Sequence, residues 1–198
     1  MNKLMTLAAT LVAMPFMAFA GLEIGADAPA IDAMDTNGNK VSLMDMKDDI
    51  VVLEWTNHDC PFVKKFYSEG NMQATQKAYT AQGVKWVRVI SSAVGKQGHV
   101  SADEANRIAA EKGAMASHTI IDESGDIGHT YGAKTTPHMF VINKGKLAYM
   151  GAMDDKRSPK SSDIATATPH LTNALDNLIA AKAVEVAISQ PYGCSVKY

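Results

Sequence analysis

The chain has 198 residues, with 19 lysines and arginines against 21 aspartates and glutamates, which gives a formal net charge of −2. No stretch concentrates enough basic side chains to follow a phosphate backbone, so we expect no nucleic-acid partner. Cys60 and Cys194 are the only cysteines in the sequence. Two cysteines are too few for a small disulfide-rich scaffold.

The first twenty residues have the pattern of a secretory signal. A charged start is followed by an apolar stretch that ends in Ala18-Phe19-Ala20, a small-residue cleavage pattern. The apolar stretch is short for a membrane span of about 20 residues, and Pro15 interrupts it. We therefore predict a signal peptide over residues 1–20, export to the bacterial periplasm, no membrane attachment after cleavage, and one domain over residues 21–198.

The predicted elements begin with two β-structures. Residues 31–43 alternate in character around Asn37-Gly38, which predicts a β-hairpin. The continuous apolar run Ile50-Val51-Val52-Leu53 is typical of a central parallel strand that is covered on both faces.

Cys60 is predicted to lie at the start of a helix. Pro61 follows it directly, and proline is favoured at the first helical position because its missing N–H would be unpaired there. A thiol in this place faces the positive end of the helix dipole and free backbone N–H groups, which favour the thiolate. An inert buried cysteine is the alternative.

The rest of the chain alternates between predicted strands and helices. They are a helical stretch that ends at Gly83, a strand over 84–91, a helix from 101 to 113, strands over 118–121, 138–142 and 147–151, and a final helix from Thr168-Pro169. This order predicts an α/β fold with a central mixed β-sheet, helices on both faces and an N-terminal β-hairpin. The polar stretch 154–166 is predicted to be a functional flap or a disordered loop.

Three features resemble the thioredoxin-like superfamily, specifically its redoxin branch, which is related to peroxiredoxins of the alkyl hydroperoxide reductase/thiol-specific antioxidant type. They are the W-x-N-x-x-C-P-F motif of residues 55–62, the later Thr135-Thr136-Pro137, and the segment 140–145 that follows it. The resemblance implies a thioredoxin-like fold with a cis Thr136–Pro137 bond against the active cysteine. It also implies a substrate site formed by Trp55, Asn57, Thr136, Pro137 and His138.

Departures from the family patterns shape the predicted chemistry. Thioredoxins carry a second cysteine where this chain has Val63, and the peroxide-binding Thr, Pro and Arg of peroxiredoxins are replaced by Asn57, Leu53 and Pro137. We therefore expect a thiol–disulfide oxidoreductase or a weak thiol peroxidase with Cys60 as nucleophile. Its partners would be a peroxide, or a protein or small-molecule disulfide, and an external thiol reductant, and neither a cofactor nor a metal is implied.

Two side chains near Cys60 are candidates for proton transfer. Glu54 stands six residues before Cys60, where thioredoxins place a buried acid that assists disulfide exchange. The alternative for Glu54 is a side chain turned to solvent or paired with a lysine. His58 lies two residues before Cys60, and an imidazolium from His58 or His138 would favour the thiolate.

Cys194 lies in a short C-terminal tail next to Gly193. We expect the tail to fold back so that Cys194 resolves a sulfenic acid or mixed disulfide on Cys60, as C-terminal cysteines do in some peroxiredoxins. One alternative is a non-catalytic domain with a permanent Cys60–Cys194 disulfide. Another is a pair of thiols too far apart to meet.

A soft-metal site is an alternative of another class. Cys60, His58 and His138, with Met139 nearby, have the ligand types that bind copper. Thioredoxin-like copper carriers generally use two close cysteines, and this sequence has one at that place.

Overall fold

The computed structural model describes residues 22–198, so the predicted signal peptide lies outside the described residues. The elements, in chain order, are β1 (Asp32–Met34), β2 (Lys40–Ser42), β3 (Ile50–Trp55), α1 (Pro61–Tyr67), α2 (Asn71–Thr80), β4 (Lys85–Ile90), α3 (Ala102–Glu111), β5 (His118–Ile121), α4 (Asp126–Tyr131), β6 (Thr135–Thr136), β7 (His138–Asn143), β8 (Lys146–Gly151), a 3-10 helix (Ser161–Thr166), α5 (His170–Ile179) and β9 (Cys194–Ser195). No helix within residues 22–198 is long and apolar enough to cross a membrane.

A five-stranded mixed sheet forms the centre of the fold, in the order β5-β4-β3-β7-β8. Strand β3 pairs in parallel with β4 and antiparallel with β7. Its residues Val51, Val52 and Leu53 are all buried, which explains the continuous apolar run. The predicted central strand is therefore confirmed.

The two faces of the sheet carry separate cores. On one face, which we call the thiol face, Cys60 packs with Val52, Trp86 and residues of α2 and α5. On the other, the hairpin face, Trp55 and Phe140 pack against residues of the β1–β2 hairpin and of α4. The predicted α/β fold with a mixed sheet, helices on both faces and an N-terminal hairpin is confirmed. Because side chains alternate along a strand, Glu54 and Trp55 point to opposite faces.

The structure differs from the sequence-based expectation in three segments. The short helix α4 and the pairing of β6 with β9 were not predicted. The polar stretch 154–166 contains the 3-10 helix and begins at Asp154, which is 4% exposed, so the expectation of a disordered loop is wrong. Asp154 forms an ion pair with Lys65, a contact that no local sequence pattern predicts.

Candidate active site

Cys60 is the N-cap residue of α1, as predicted, and Pro61 is the first helical residue. The Cys60 carbonyl accepts hydrogen bonds from the backbone N–H groups of Val63 and Lys64 at 3.0 and 2.9 Å. The Cys60 N–H donates to the Asn57 carbonyl at 3.0 Å. The residue has no exposed surface. The turn from β3 into α1 therefore holds the thiol at the centre of the thiol face.

The cis-proline segment lies directly against this thiol. The Thr136–Pro137 peptide bond is cis, as the resemblance implies. The Cys60 thiol donates to the carbonyl oxygen of Thr136 at 3.0 Å. The Thr136 hydroxyl is buried and has no hydrogen-bond partner among the described residues, so it is free to donate to a thiolate on Cys60.

The C-terminal tail returns to the same place. Strand β9 pairs antiparallel with β6, so that Cys194 lies opposite Thr136. Cys194 packs against the buried cluster that contains Cys60, and hydrogen bonding from its thiol and backbone N–H contributes to the pKa of Cys60. The two cysteines are both in the thiol form. The expected return of the tail is therefore observed, and the alternative of two distant thiols is wrong.

The two thiols have pKa values displaced in opposite directions. Burial raises the pKa of Cys60, but hydrogen bonds from Cys194, the Thr136 side chain and the Val63 N–H outweigh burial and lower it overall. For Cys194, burial, the hydrogen bond to Cys60 and the Cys60 charge raise the pKa to about 11. When the pair of cysteines loses one proton, Cys60 therefore becomes the thiolate and Cys194 remains a thiol.

A buried ionic cluster fixes the start of the tail. The Lys65 side chain is fully buried, and its Nζ lies 2.8 Å from a carboxylate oxygen of Asp154. The Tyr192 hydroxyl accepts from Lys65 Nζ at 2.8 Å and donates to Asp154. These three residues were not predicted as functional. The available signal was a lysine on the inner side of α1, between the apolar Val63 and Phe66.

The end of the tail is fixed by backbone bonds and by one aromatic side chain. The Val196 N–H donates to the Lys134 carbonyl at 3.1 Å, and the Ala93 N–H donates to the Lys197 carbonyl at 2.8 Å. The Tyr198 ring stacks on His129 with centroids 3.9 Å apart. The tail is thus anchored on both sides of Cys194.

Glu54 is fully buried on the thiol face, not turned to solvent. Its carboxylate accepts hydrogen bonds from the Tyr67 hydroxyl at 2.8 Å, Gln76 Nε2 at 3.0 Å and Trp86 Nε1 at 2.7 Å. Burial first and the Glu54 charge second raise the pKa of Tyr67. None of these bonds involves Cys60, so Glu54 does not contact the thiol directly.

The structure does not bring His138 to the thiol. His138 packs on Phe140 on the hairpin face, with ring centroids 4.4 Å apart. Burial, with a smaller effect from Lys134, lowers the pKa of His138 to about 4, so the ring is neutral at neutral pH. It therefore supplies no imidazolium to Cys60.

The proposed soft-metal set is not assembled either. His58 is partly exposed and lies 3.5 Å from the Asp59 carboxylate. His138 is on the opposite face of the sheet from Cys60. Within residues 22–198, no group of three or more His, Cys, Asp or Glu side chains is arranged to hold a metal ion.

Trp55 and Asn57 lie inside the protein and do not line an open surface. Trp55 is fully buried on the hairpin face and donates from Nε1 to Ser91 Oγ at 3.0 Å. The Asn57 side chain is 2% exposed; it accepts from the Asp59 N–H at 2.9 Å and donates to the Gln97 carbonyl at 3.1 Å. Asn57 therefore shapes the turn that places Cys60.

A helix-capping cysteine after a central strand, facing a cis-proline on a mixed sheet, defines a thioredoxin-like protein. The chain belongs to the AhpC/TSA family, whose model matches residues 24–150. No curated protein matches the chain.

Several solved structures share the fold. A hypothetical protein from Sinorhizobium meliloti 1021 is 22% identical, with a TM-score of 0.75 over 90% of this chain and 96% of that one. An uncharacterized conserved protein from Geobacillus kaustophilus is 26% identical, with a TM-score of 0.75 over 94% and 98%. A chain described as a candidate thiol:disulfide interchange protein DsbE, from Chlorobium tepidum, is 25% identical, with a TM-score of 0.51 over 66% and 85%.

Proposed function

We propose that this protein is a thiol–disulfide oxidoreductase that uses Cys60 as the nucleophile and Cys194 as the resolving cysteine. One observation carries the proposal: the tail packs Cys194 against the cluster that contains Cys60, opposite the Thr136 residue whose carbonyl accepts from the Cys60 thiol. The pKa values of the two thiols are displaced in opposite directions, which agrees with these roles. The likeness to the DsbE-type chain from Chlorobium tepidum, at 25% identity, supports the same reaction class.

The proposed cycle transfers two electrons from the cysteine pair to the substrate. The Cys60 thiolate attacks one sulfur of a disulfide, the S–S bond breaks, and one substrate thiolate leaves and takes up a proton. Cys194 loses its proton, attacks Cys60 Sγ, and releases the second substrate thiol. The product is a Cys60–Cys194 disulfide, which an external thiol reductant returns to two thiols.

The same pair supports a weaker reaction with hydroperoxides. The thiolate attacks the terminal oxygen, the O–O bond breaks, and the leaving alkoxide takes up a proton from solvent, which yields an alcohol and a sulfenic acid on Cys60. Cys194 then forms the disulfide with loss of water. Asn57 and Pro137 stand where peroxiredoxins carry peroxide-binding side chains, so we expect this branch to be slow.

The neighbouring residues have supporting roles in this proposal. Before attack, the Cys194 thiol and the Thr136 hydroxyl donate to the Cys60 thiolate. Once Cys60 is bonded to substrate it carries no charge, so one of the effects that raise the pKa of Cys194 disappears. Export, which we retain as part of the proposal, would place the pair where disulfides persist.

Thiol counting tests the proposal. The reduced mature chain should show two thiols, and after one equivalent of a small disulfide it should show none. Cys194→Ser should stop at the mixed disulfide, Cys60→Ser should not react, and Ser195→Ala, an exposed neighbour, should behave as the unaltered chain. A Cys60 that resists both alkylation and disulfides near neutral pH would disprove the catalytic role. A pair that stays oxidised in excess reductant would instead support a structural disulfide.

A further inference from the structure

A small pocket lies between α1, β4 and α3. It has a volume of about 40 Å³ and is lined by His58, Lys64, Tyr67, Arg88, Ile108 and Lys112 among others. Arg88 comes from β4, which flanks β3 on one side, whereas the segment bound by the tail leads into β7, which flanks β3 on the other. No residue of the tail is among the described residues that line the pocket.

Arg88 is the feature of this pocket that the proposed reaction does not use. It is 5% exposed, and its Nε and Nη1 atoms are buried with no hydrogen-bond partner among the described residues. Leaving buried donors of a charged group unpaired costs free energy, commonly more than about 1 kcal/mol. A guanidinium in this condition can bind an anion with little rearrangement.

The nearest buried acid does not satisfy Arg88. Glu54 lies beside it in the register of β3 and β4. The Glu54 carboxylate, however, already accepts from Tyr67, Gln76 and Trp86. The Arg88 guanidinium instead lies 5.8 Å from the centroid of the Tyr67 ring. Glu54 thus offsets the charge of Arg88 without occupying its donors.

The charges around the pocket also favour an anion. Lys64, His58 and Lys112 lie along it with Arg88, and no acidic residue is among the described residues that line it. Asp59, which lies 3.5 Å from His58 and 3.9 Å from Lys64, offsets part of this charge outside the lining. Arg88 is left as the principal cation inside.

We propose that this pocket binds a carboxylate group of the substrate and pairs it with Arg88. A carboxylate accepts charge-assisted hydrogen bonds from the N–H groups of a guanidinium, and a volume of about 40 Å³ accommodates a group of that size. Val63 and Lys64 lie about one helical turn, roughly 5 Å of rise, along α1 from Cys60. The inference rests on the proposed function and names its substrate class: small disulfides with a carboxylate a few bonds from the reacting sulfur.

Two reagents separate the carboxylate effect from general reactivity. 5,5′-Dithiobis(2-nitrobenzoate) carries carboxylates, and 2,2′-dithiodipyridine is an uncharged disulfide. We expect Arg88→Met to slow the reaction of Cys60 with the first about tenfold, the effect of one lost charge-assisted hydrogen bond, and to change the second less than about twofold. Arg88→Lys should give an intermediate loss, because lysine keeps the charge but not the paired donors.

Matched variants complete the experiment. Lys112→Met, in the pocket, should cause a smaller loss than Arg88→Met, while Lys77→Met, an exposed lysine on α2 outside the pocket, should cause none. Equal slowing with both reagents, or no slowing, would overturn the carboxylate site. Chemical-shift titration with acetate is independent of Cys60: Tyr67 and Ile108 should shift in the unaltered chain and not in Arg88→Met. No shift in either protein would overturn the inference even if Cys60 proved unreactive.

Discussion

At the scale of single residues, the position of one proton distinguishes the two cysteines. Cys60 and Cys194 share a hydrogen bond, but the Val63 N–H and the Thr136 side chain add to it only on Cys60. The pKa of Cys194 is raised instead, partly because the negative charge of Cys60 makes loss of the Cys194 proton less favourable. In the proposed reaction, the donors around each sulfur therefore decide which cysteine is the nucleophile.

Replacing Cys194 with alanine should raise the pKa of Cys60. The change removes the thiol donor and keeps the tail backbone, and a hydrogen bond to the charged form is what lowers the pKa. Less thiolate is then present near neutral pH, so iodoacetamide should modify Cys60 more slowly. A pH titration of thiolate absorbance measures the effect, and Ser195→Ala is the control. An unchanged or lower pKa would show that the Cys194 thiol does not stabilise the thiolate.

Single residues were predictable where their signal is local. Cys60 is followed by Pro61, and this dipeptide alone indicates a helix start. The Lys65–Asp154–Tyr192 cluster has no such signal, because Lys65 meets residues 89 and 127 positions later in the chain. Similarly, the position of His138 directly after Pro137 predicts a place near Cys60, but strand alternation turns the side chain to the other face, where it packs on Phe140.

At the scale of elements, the tail occupies a sheet edge that would otherwise be free. The backbone groups of β6 pair with β9, which covers the segment next to the Cys60 thiol. The fit is close at Gly193, which has a φ of 141° and whose added Cβ would collide with the carbonyl oxygen of Thr136. Glycine is thus required at this position for the tail to dock.

Gly193→Ala should therefore release the tail. The collision and the positive φ together should weaken docking by about 1–3 kcal/mol. Amide hydrogen exchange at residues 194–198 should become faster, and formation of the Cys60–Cys194 disulfide slower. Gly145→Ala is a matched control, since Gly145 also has a positive φ, of 76°, but an added Cβ there meets nothing within 4 Å. Unchanged exchange in the tail would show that Gly193 is not needed for docking.

Regular elements were predicted well because their patterns are periodic. The hairpin around Asn37-Gly38, β3, the capped α3 and the β7–β8 hairpin all lie where the sequence places them. The pairing of β6 with β9 was missed because each strand has two residues, too few to show an alternation. The short α4 was missed for the same reason, as six residues show less than two helical turns.

At the scale of the whole molecule, the reactive sulfur is enclosed. Cys60 has no exposed surface, and the tail covers the edge beside the cis-proline. An extended peptide that pairs with this edge would have to displace β9. A small disulfide requires no such exchange of strands. If the proposed function is correct, we expect the closed fold to select substrates by size before any side chain selects them by charge.

The burial of Cys60 beneath the C-terminal tail could not be predicted from the order of the helices and strands. Alternating strands and helices predicted the sheet and its central strand correctly, since each step follows from local patterning. The return of the last seven residues to the centre of the fold depends on the Tyr192 cluster, Gly193 and Tyr198 acting together across the molecule. The Gly193-Cys194 pair suggests a tail that folds back, but it does not show where the tail docks.

Ending the chain at Tyr192 should open the site to peptides. This truncation removes β9 and keeps the contact of Tyr192 with Lys65, so the edge of β6 becomes free for an extended substrate. The reaction of Cys60 with a peptide disulfide should become about tenfold faster. The peptide no longer has to displace a docked strand, a step that costs more than about 1 kcal/mol in the full-length chain. A small neutral disulfide should gain less. Single-turnover rates with both substrates measure the difference.

The matched control is the full-length Cys194→Ser chain, which also lacks the resolving thiol but keeps the tail in place. If that chain reacts with the peptide as fast as the truncated one, the tail does not restrict access and the size selection argued above is wrong. If the truncated chain alone is faster, the tail is a built-in competitor for the strand edge. The same six residues, 193–198, would then serve both to resolve Cys60 and to exclude extended substrates from it.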